Sequence, residues 1–380
     1  MLPVDPKNLS SPLVTLSTMS TIVVVGAGVS GLTCALQLAK QGGNTITVVA
    51  KHMPGDYDPE YTSPFAGANV LPMAPEYNRW EGETWPELKR LAETCPEAGI
   101  HFQKAVLYRR AQDEAAGFAG PLSDGLFVRN PWYKDLVPDY VDLPASEVPE
   151  GMSSASSFTS VCINTAIYLP WLVGQCRARG VVFKRAVLKH ISDAAKLSHT
   201  GRKPDIIINA TGLLSCRLGG VMDKKVMPAR GQVVLVRNEA TPNMVCTSGT
   251  DDGNGDELCY IMQRAAGGGT ILGGTYMKGN WDGVPDPNIA TRIMKRAVEA
   301  CPALTGGKGI EALDVIRHAV GLRPYREGGV RIDKENINGT WVVHNYGHGG
   351  WGYQGSWGCA FRVQELVDEI KSELKLGSKL

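Results

Sequence analysis

Ile22-Val23-Val24-Val25 has no polar side chain on either face, which predicts a strand buried on both sides of a parallel sheet. Gly26-Ala27-Gly28-Val29-Ser30-Gly31 follows it directly. Leu32, Ala35, Leu36 and Ala39 then recur at helical spacing, Gly42-Gly43 closes that helix, and Thr45 to Ala50 reads as a second strand. Further along, Val181-Val182-Phe183 and Ala186-Val187-Leu188 predict strands around a turn. Asp205 to Asn209 is another buried run, ending in Ala210-Thr211-Gly212.

Other stretches have a different texture. Twelve of the 23 prolines fall between Pro54 and Pro149, among charged loops and short helical pieces such as Trp85 to Thr94, so an irregular inserted lobe is expected there. Val233 to Arg237, Leu258 to Arg264 and Thr270 to Tyr276 read as longer antiparallel strands with glycine turns. An amphipathic helix follows over Ile289 to Ala300. Trp341 to Asn345 is a last strand, and Ala360 to Leu376 a last helix that Gly377 releases. The expected fold is α/β: a Rossmann-like domain (21–75, 155–222, 310–376) interleaved with a mostly antiparallel α+β domain (76–154, 223–309). Residues 1–20 read as a loose extension and 377–380 as a tail.

Composition narrows the function classes. Lys+Arg is 39 against 38 Asp+Glu, a net charge of +1, which lacks the footprint of a nucleic-acid binder. No window reaches the ~18 consecutive apolar residues that predict a membrane span. Glycine is the outlier, at 44 of 380 residues against a usual share of about 7%. With no repeat and no Gly/Ser tract, the excess implies a backbone that passes close to something. The nine cysteines are scattered without a C-x-x-C, against a disulfide framework and against a zinc site. The first twenty residues lack the regions of a secretory leader and are poor in Arg for a mitochondrial one. Ser378-Lys379-Leu380 spells the tripeptide read by the peroxisomal import receptor, so a peroxisomal location is expected. The near-neutral surface permits self-association, with a homodimer as its simplest form.

The turn after the first strand carries chemistry. In G-x-G-x-x-G, Gly26 makes the tight turn, Gly28 lets a pyrophosphate touch the backbone, and Gly31 lets helix pack on strand. The helix N-terminus offers free N–H groups and partial positive charge to phosphates. The acidic residue expected on the ribose, ~20 residues past the glycines, is replaced by Lys51 and His52. Those residues suit either a 2′-phosphate, hence NADP, or an FAD whose ribose is held otherwise, and the turn alone leaves both open.

A second glycine concentration, six between 347 and 358, lies between the last strand and the last helix. It makes another close-approach site, suited to charge that develops during a reaction. The run His344-Asn345-Tyr346-Gly347, then Gly349-Gly350, Gly352, Gly358 and Ala360, resembles the signature of the D-amino-acid oxidase family. Ala66-Gly67-Ala68-Asn69, Asn209-Ala210-Thr211-Gly212, Arg230-Gly231-Gln232, Gly273-Gly274-Thr275-Tyr276 and Gly321-Leu322-Arg323-Pro324 agree in order, so the resemblance spans about residues 21–375. It implies non-covalent FAD, and because a basic residue commonly follows the second strand in that family, Lys51 no longer argues for NADP. The implied cofactor contacts are Gly26, Ala27, Gly28, Val29, Ser30 and Gly31, then Lys51, His52, Ser63, Ala66, Gly67 and Ala68. Val187, Thr211, Gly212, Gly349, Gly350, Gly352, Tyr353 and Gln354 complete that set.

For the substrate, the resemblance gives Arg323 the α-carboxylate, Tyr276 a hydrogen bond to it, and Tyr260 a role as wall and orienter. Gln354 and the Gly350 carbonyl fall on the amine side. A guanidinium fork suits a carboxylate through two parallel bonds. Tyr260 and Tyr276 are expected opposite one another on a hairpin centred near Gly268. Arg317 and Arg326 are expected in salt bridges, and His344 and His348 in structural roles. The implied chemistry is hydride transfer from Cα to flavin N5 with no protein acid or base. Imine hydrolysis to a 2-oxo acid and ammonia follows, and reoxidation by O2 gives hydrogen peroxide. D-Aspartate oxidase, a glycine or sarcosine oxidase, and a non-catalytic dinucleotide-binding protein are the alternatives. Relatives acting on D-aspartate usually carry Arg where this chain has Tyr276, which points to neutral D-amino acids.

Overall fold

The computed structural model describes residues 19–118, 125–252, 255–264 and 266–377. The extension expected over 1–20 lies outside them as far as residue 18, and so does Ser378-Lys379-Leu380. Ser20 already belongs to the first strand.

The chain begins β1 (Ser20–Val25), α1 (Val29–Lys40) and β2 (Asn44–Ala50). Next come α2 (Arg79–Thr94), β3 (Ile100–Arg109), α3 (Ala111–Ala115), β4 (Val141–Asp142), β5 (Ser154–Ile163) and α4 (Thr165–Arg177). The middle of the chain supplies β6 (Val182–Arg185), β7 (Ile206–Asn209), β8 (Val226–Val236), β9 (Met244–Thr247), β10 (Glu257–Gln263), β11 (Thr270–Thr275) and β12 (Met277–Lys278). It ends with α5 (Pro287–Ala300), β13 (Val315–Arg326), β14 (Lys334–Ile337), β15 (Thr340–His344) and α6 (Ser356–Gly377).

Two sheets organise these elements. The first has the order β14-β15-β7-β1-β2-β6, parallel except where β14 pairs with β15. Its central strand β1 is solvent-free from Ile22 to Val24, which is why that run needs no polar alternation. The α1 helix packs between this sheet and α6, burying Leu32, Leu36 and Leu38. The second sheet has nine strands in the order β12-β8-β11-β10-β9-β3-β5-β4, with β13 also paired to β8. It is antiparallel except between β3 and β9.

Three expectations change. Ala186-Val187-Leu188 is not a strand: β6 ends at Arg185, and Val187 stands 72% exposed. Within the proline-rich stretch, β3 runs ten residues through the second sheet, with Ala105 and Leu107 fully buried on one face. Polar His101, Gln103 and Lys104 break the apolar run that would have announced it. The spans 155–222 and 310–376, grouped with the first sheet from sequence, divide between sheets, because β5 and β13 pair with strands of the second. Strand pairing, not chain position, sets that grouping.

Candidate active site

A cavity of about 450 Å³ is lined by residues from the β1–α1 turn at one extreme and from the second sheet at the other. At one end α1 begins at Gly28, whose φ of −75° is extended and which offers no side-chain cap. Of the first-turn residues, Val29 and Ser30 line the cavity, and Val29 N–H donates to Ser63 Oγ at 3.0 Å. Gly26 adopts φ +116°, and a Cβ there would collide with the Ala210 carbonyl. A Cβ on Gly31 would collide with the Gly26 carbonyl, so Gly31 packs helix on strand and does not itself line the cavity.

Every other expected cofactor residue does line it. Gly26, Ala27, Gly28, Val29 and Ser30 form the turn. Lys51, His52, Val187, Thr211 and Gly212 surround the end nearest β2 and β7, and Ser63, Ala66, Gly67 and Ala68 form one long wall. Gly349, Gly350, Gly352, Tyr353 and Gln354 form the facing wall ahead of α6. This set fits a dinucleotide: an uncapped helix N-terminus for the pyrophosphate, a cradle that Cβ atoms would fill, and exposed apolar Val187 for an adenine face. The acidic group absent after β2 is supplied from a loop. Glu60 lines the cavity and bridges Lys51 (2.9 Å) and Arg217 (3.2 Å). Nothing at position 60 marks that return in the sequence. Arg264 was likewise not anticipated; it donates to the carbonyls of Gly67 (2.6 Å) and Ala66 (2.7 Å), holding that wall.

Arg323, on β13 of the second sheet, lines the cavity. Its Nη1 donates to the Thr275 carbonyl at 2.8 Å and its Nη2 to Tyr260 Oη at 3.4 Å. Its guanidinium stands 5.1 Å from the centre of the Tyr276 ring. Among the described residues it has no carboxylate partner, whereas Arg326 pairs with Asp223 at 2.8 Å as expected. Arg317, expected in a salt bridge, has none among the described residues and lies over the Tyr57 ring at 4.3 Å. A side chain on Gly231 would run into the Arg323 guanidinium, so Arg230-Gly231-Gln232 needs its glycine as a seat for the fork.

The tyrosines do not stand opposite each other. Tyr260 pairs with Gly273, and Gln263 with Thr270, so the hairpin turns nearer Gly267 and Tyr276 falls just past β11. The Tyr260 ring covers Gly273 and Gly274, where any Cβ would clash with it. Both nevertheless meet Arg323, Tyr260 through its hydroxyl and Tyr276 through its ring face, but Tyr260 lines the cavity and Tyr276 does not. Burial raises the pKa of each phenol, with Arg323 opposing, so both stay protonated donors.

Leu71, Met73, Leu126, Cys246 and Met262 complete an apolar wall around this end. Gln354 faces the cavity, but its amide is already bonded: Oε1 accepts from Leu71 N–H at 2.8 Å, and Nε2 donates to Glu81 at 2.7 Å. His344 is structural, bonded to Asn209 (3.0 Å) and Glu335 (2.8 Å). His348 lines the cavity and burial pushes its pKa down to about 4, so it is neutral at pH 7.

Comparison with known proteins places this geometry. A family model described as FAD dependent oxidoreductase matches residues 21–366. A D-amino-acid oxidase of Fusarium vanettenii is 60% identical over 358 residues, covering 94% of this chain and 99% of the relative. A D-amino-acid oxidase of Schizosaccharomyces pombe is 37% identical, with 92% and 97% covered. Among solved structures, glycine oxidase from Geobacillus kaustophilus has a TM-score of 0.70 at 17% identity, covering 92% of this chain and 95% of its own, a likeness of fold. A match across nearly the whole chain, on a cavity shaped for a dinucleotide, means that this protein belongs to the FAD dependent oxidoreductase family.

Proposed function

We propose that the protein oxidatively deaminates neutral D-amino acids, consuming O2 and water and releasing a 2-oxo acid, ammonia and hydrogen peroxide. The observation that carries this reading is Arg323: a guanidinium without a counter-charge among the described residues, at the apolar end of a dinucleotide cavity. A fork so placed is satisfied by a carboxylate from solution, which two parallel bonds would orient. When bound, FAD supplies the two-electron acceptor and the route to oxygen. Tyr276 and Tyr260 donate hydroxyls beside the carboxylate site. The Gly350 carbonyl and Gln354 serve the amine side, and no residue is asked to act as base. The preference for the D form rests on the relatives named D-amino-acid oxidase.

Leu71, Met73, Leu126, Cys246 and Met262 offer no cation to a substrate side chain. An acidic side chain would be buried there unpaired, and rejection on that ground reaches orders of magnitude. The purified protein is expected to be yellow and to bleach anaerobically with D-alanine but not L-alanine. Peroxide release should favour D-alanine or D-methionine over D-aspartate by about 100-fold in kcat/KM. Faster turnover of D-aspartate would reassign the substrate. Faster turnover of glycine or sarcosine than of D-alanine would move the activity to that oxidase class, and colourless protein that takes up no FAD would defeat the whole reading.

Tyr276→Phe keeps the ring beside Arg323 and removes one donor to a charged group. KM for D-alanine should rise about tenfold while kcat stays within about threefold, as loss of a single such bond implies. Steady-state oxygen uptake checks this; a collapse of kcat at unchanged KM would put Tyr276 into the chemical step.

A peroxide-forming reaction suits an address to the peroxisome, and Ser378-Lys379-Leu380 is that address. An amino-terminal fluorescent fusion expressed in a fungal cell should mark peroxisomes, and removal of Leu380 should disperse it. Unchanged puncta after the truncation would end this assignment.

A further inference from the structure

Residues 71–74, of which Leu71 and Met73 line the cavity, belong to no strand, so their backbone N–H groups need partners from elsewhere. Two side chains supply them. Leu71 N–H donates to Gln354 Oε1 at 2.8 Å, while Met73 N–H (3.0 Å) and Ala74 N–H (3.5 Å) donate to the Glu81 carboxylate. Glu81 Oε1 also accepts from Gln354 Nε2 at 2.7 Å. Glu81 is 2% exposed and has no cation partner among the described residues; it is bonded there by two backbone amides and one side-chain amide.

Glu81 stands in the first turn of α2, three residues after the cap Asn78. A glutamate there commonly folds back on its own cap N–H. This one instead bonds a loop and a glutamine that line the cavity, from behind them. A buried carboxylate is a costly anchor unless fully bonded, and here the bonding fixes something useful. An ionised carboxylate only accepts and a backbone N–H only donates. Between them they dictate which way the Gln354 amide faces.

We propose that Glu81 is a positioning residue for the amine side of the substrate site. It acts through Gln354, whose amide it locks with the carbonyl turned toward Leu71 and the cavity, and through the 71–74 wall. This rests on the reading that Gln354 faces the substrate amine. A neutral amine donates, and the locked carbonyl keeps a second lone pair to receive it. Without Glu81 the amide is free to turn and Met73 N–H loses its acceptor.

The experiment uses FAD-loaded full-length protein and two unreactive carboxylates, benzoate and 2-aminobenzoate, titrated by the change in flavin absorbance. In Glu81→Leu, Kd for 2-aminobenzoate should rise about tenfold or more, as loss of an oriented acceptor implies. Benzoate, which uses only the carboxylate site, should change less than about threefold, and FAD should remain bound. Glu81→Gln keeps an acceptor oxygen for Met73 N–H and Gln354, and should restore both values to within about threefold of the parent. If Glu81→Leu does not fold, Glu81→Asp, which withdraws the carboxylate by one methylene, should show the same amine-selective loss. Equal weakening of both probes, or of neither, overturns the assignment. Failure of the parent protein to bind either carboxylate would instead overturn the substrate reading beneath it.

Discussion

Arg323→Ala is expected to lower kcat/KM for D-alanine by about 10³-fold while leaving FAD bound. Truncating one member of a desolvated charge pair costs about 2–5 kcal/mol, and each 1.4 kcal/mol is about tenfold in rate. The upper half of that range, about 4 kcal/mol, gives the stated effect. Two features keep the loss local. The guanidinium's hydrogen-bond partners are the Thr275 carbonyl and Tyr260 Oη, and neither is a charge that the truncation would leave unpaired. The dinucleotide cradle lies at the other end, on β1 and α1. Arg323→Lys separates charge from shape: it keeps the cation but loses the planar fork that Gly231 is shaped to seat, and should recover only part of the activity. Flavin content by absorbance and peroxide release on the same preparation make the measurement. Activity of the alanine variant within tenfold of the parent would remove Arg323 from the carboxylate site.

How much of this site could be read from sequence depends on how local each constraint is. The β1–α1 turn was legible because strand, glycines and helix are contiguous, and each glycine answers to one short-range clash, as Gly26 does with Ala210. The convergence of Tyr260, Tyr276 and Arg323 was legible as residues but not as geometry. Pairing Tyr260 with Gly273 leaves Tyr276 past the end of β11, and both meet Arg323 only because β13 pairs with β8, where Gly231 leaves room for the guanidinium. Glu60, Arg264 and Glu81 were not legible at all. Each is a charged residue in a loop or helix of unremarkable pattern. Each acquires its role only when a distant segment arrives: Arg217 for Glu60, Gly67 for Arg264, Gln354 for Glu81. The β3 strand was hidden for a related reason. It is paired on both edges, by β5 and β9, so its polar residues alternate with apolar ones without leaving the sheet.

Gly28→Ala is expected to weaken FAD binding by about 100-fold without destabilising the protein that carries no FAD. The three glycines of the turn are not equivalent. At Gly26 and Gly31 an added Cβ strikes backbone carbonyls, so substitution there would damage the strand–helix junction and report on folding. Gly28 differs: its φ of −75° suits any residue. Its added Cβ would meet only Ser63 Oγ, at 2.9 Å, and that hydroxyl can rotate away. What the methyl does fill is the approach to the first-turn N–H groups of α1, where the pyrophosphate must touch the backbone. Holding the phosphates back from these donors forfeits charge-assisted bonds of about 1.5–3 kcal/mol, or roughly 10- to 150-fold in affinity. Displacing Ser63 also perturbs its bond from Val29 N–H, in the same direction. Titration of FAD-free protein by fluorescence gives the affinity, and thermal melts with and without FAD give the partition. The substituted protein should melt within about 2 °C of the parent when FAD is absent, yet gain less when FAD is added, since ligand stabilisation follows RT ln(1 + [L]/Kd). Equal FAD affinity in the two proteins would mean that the pyrophosphate does not rest on this turn.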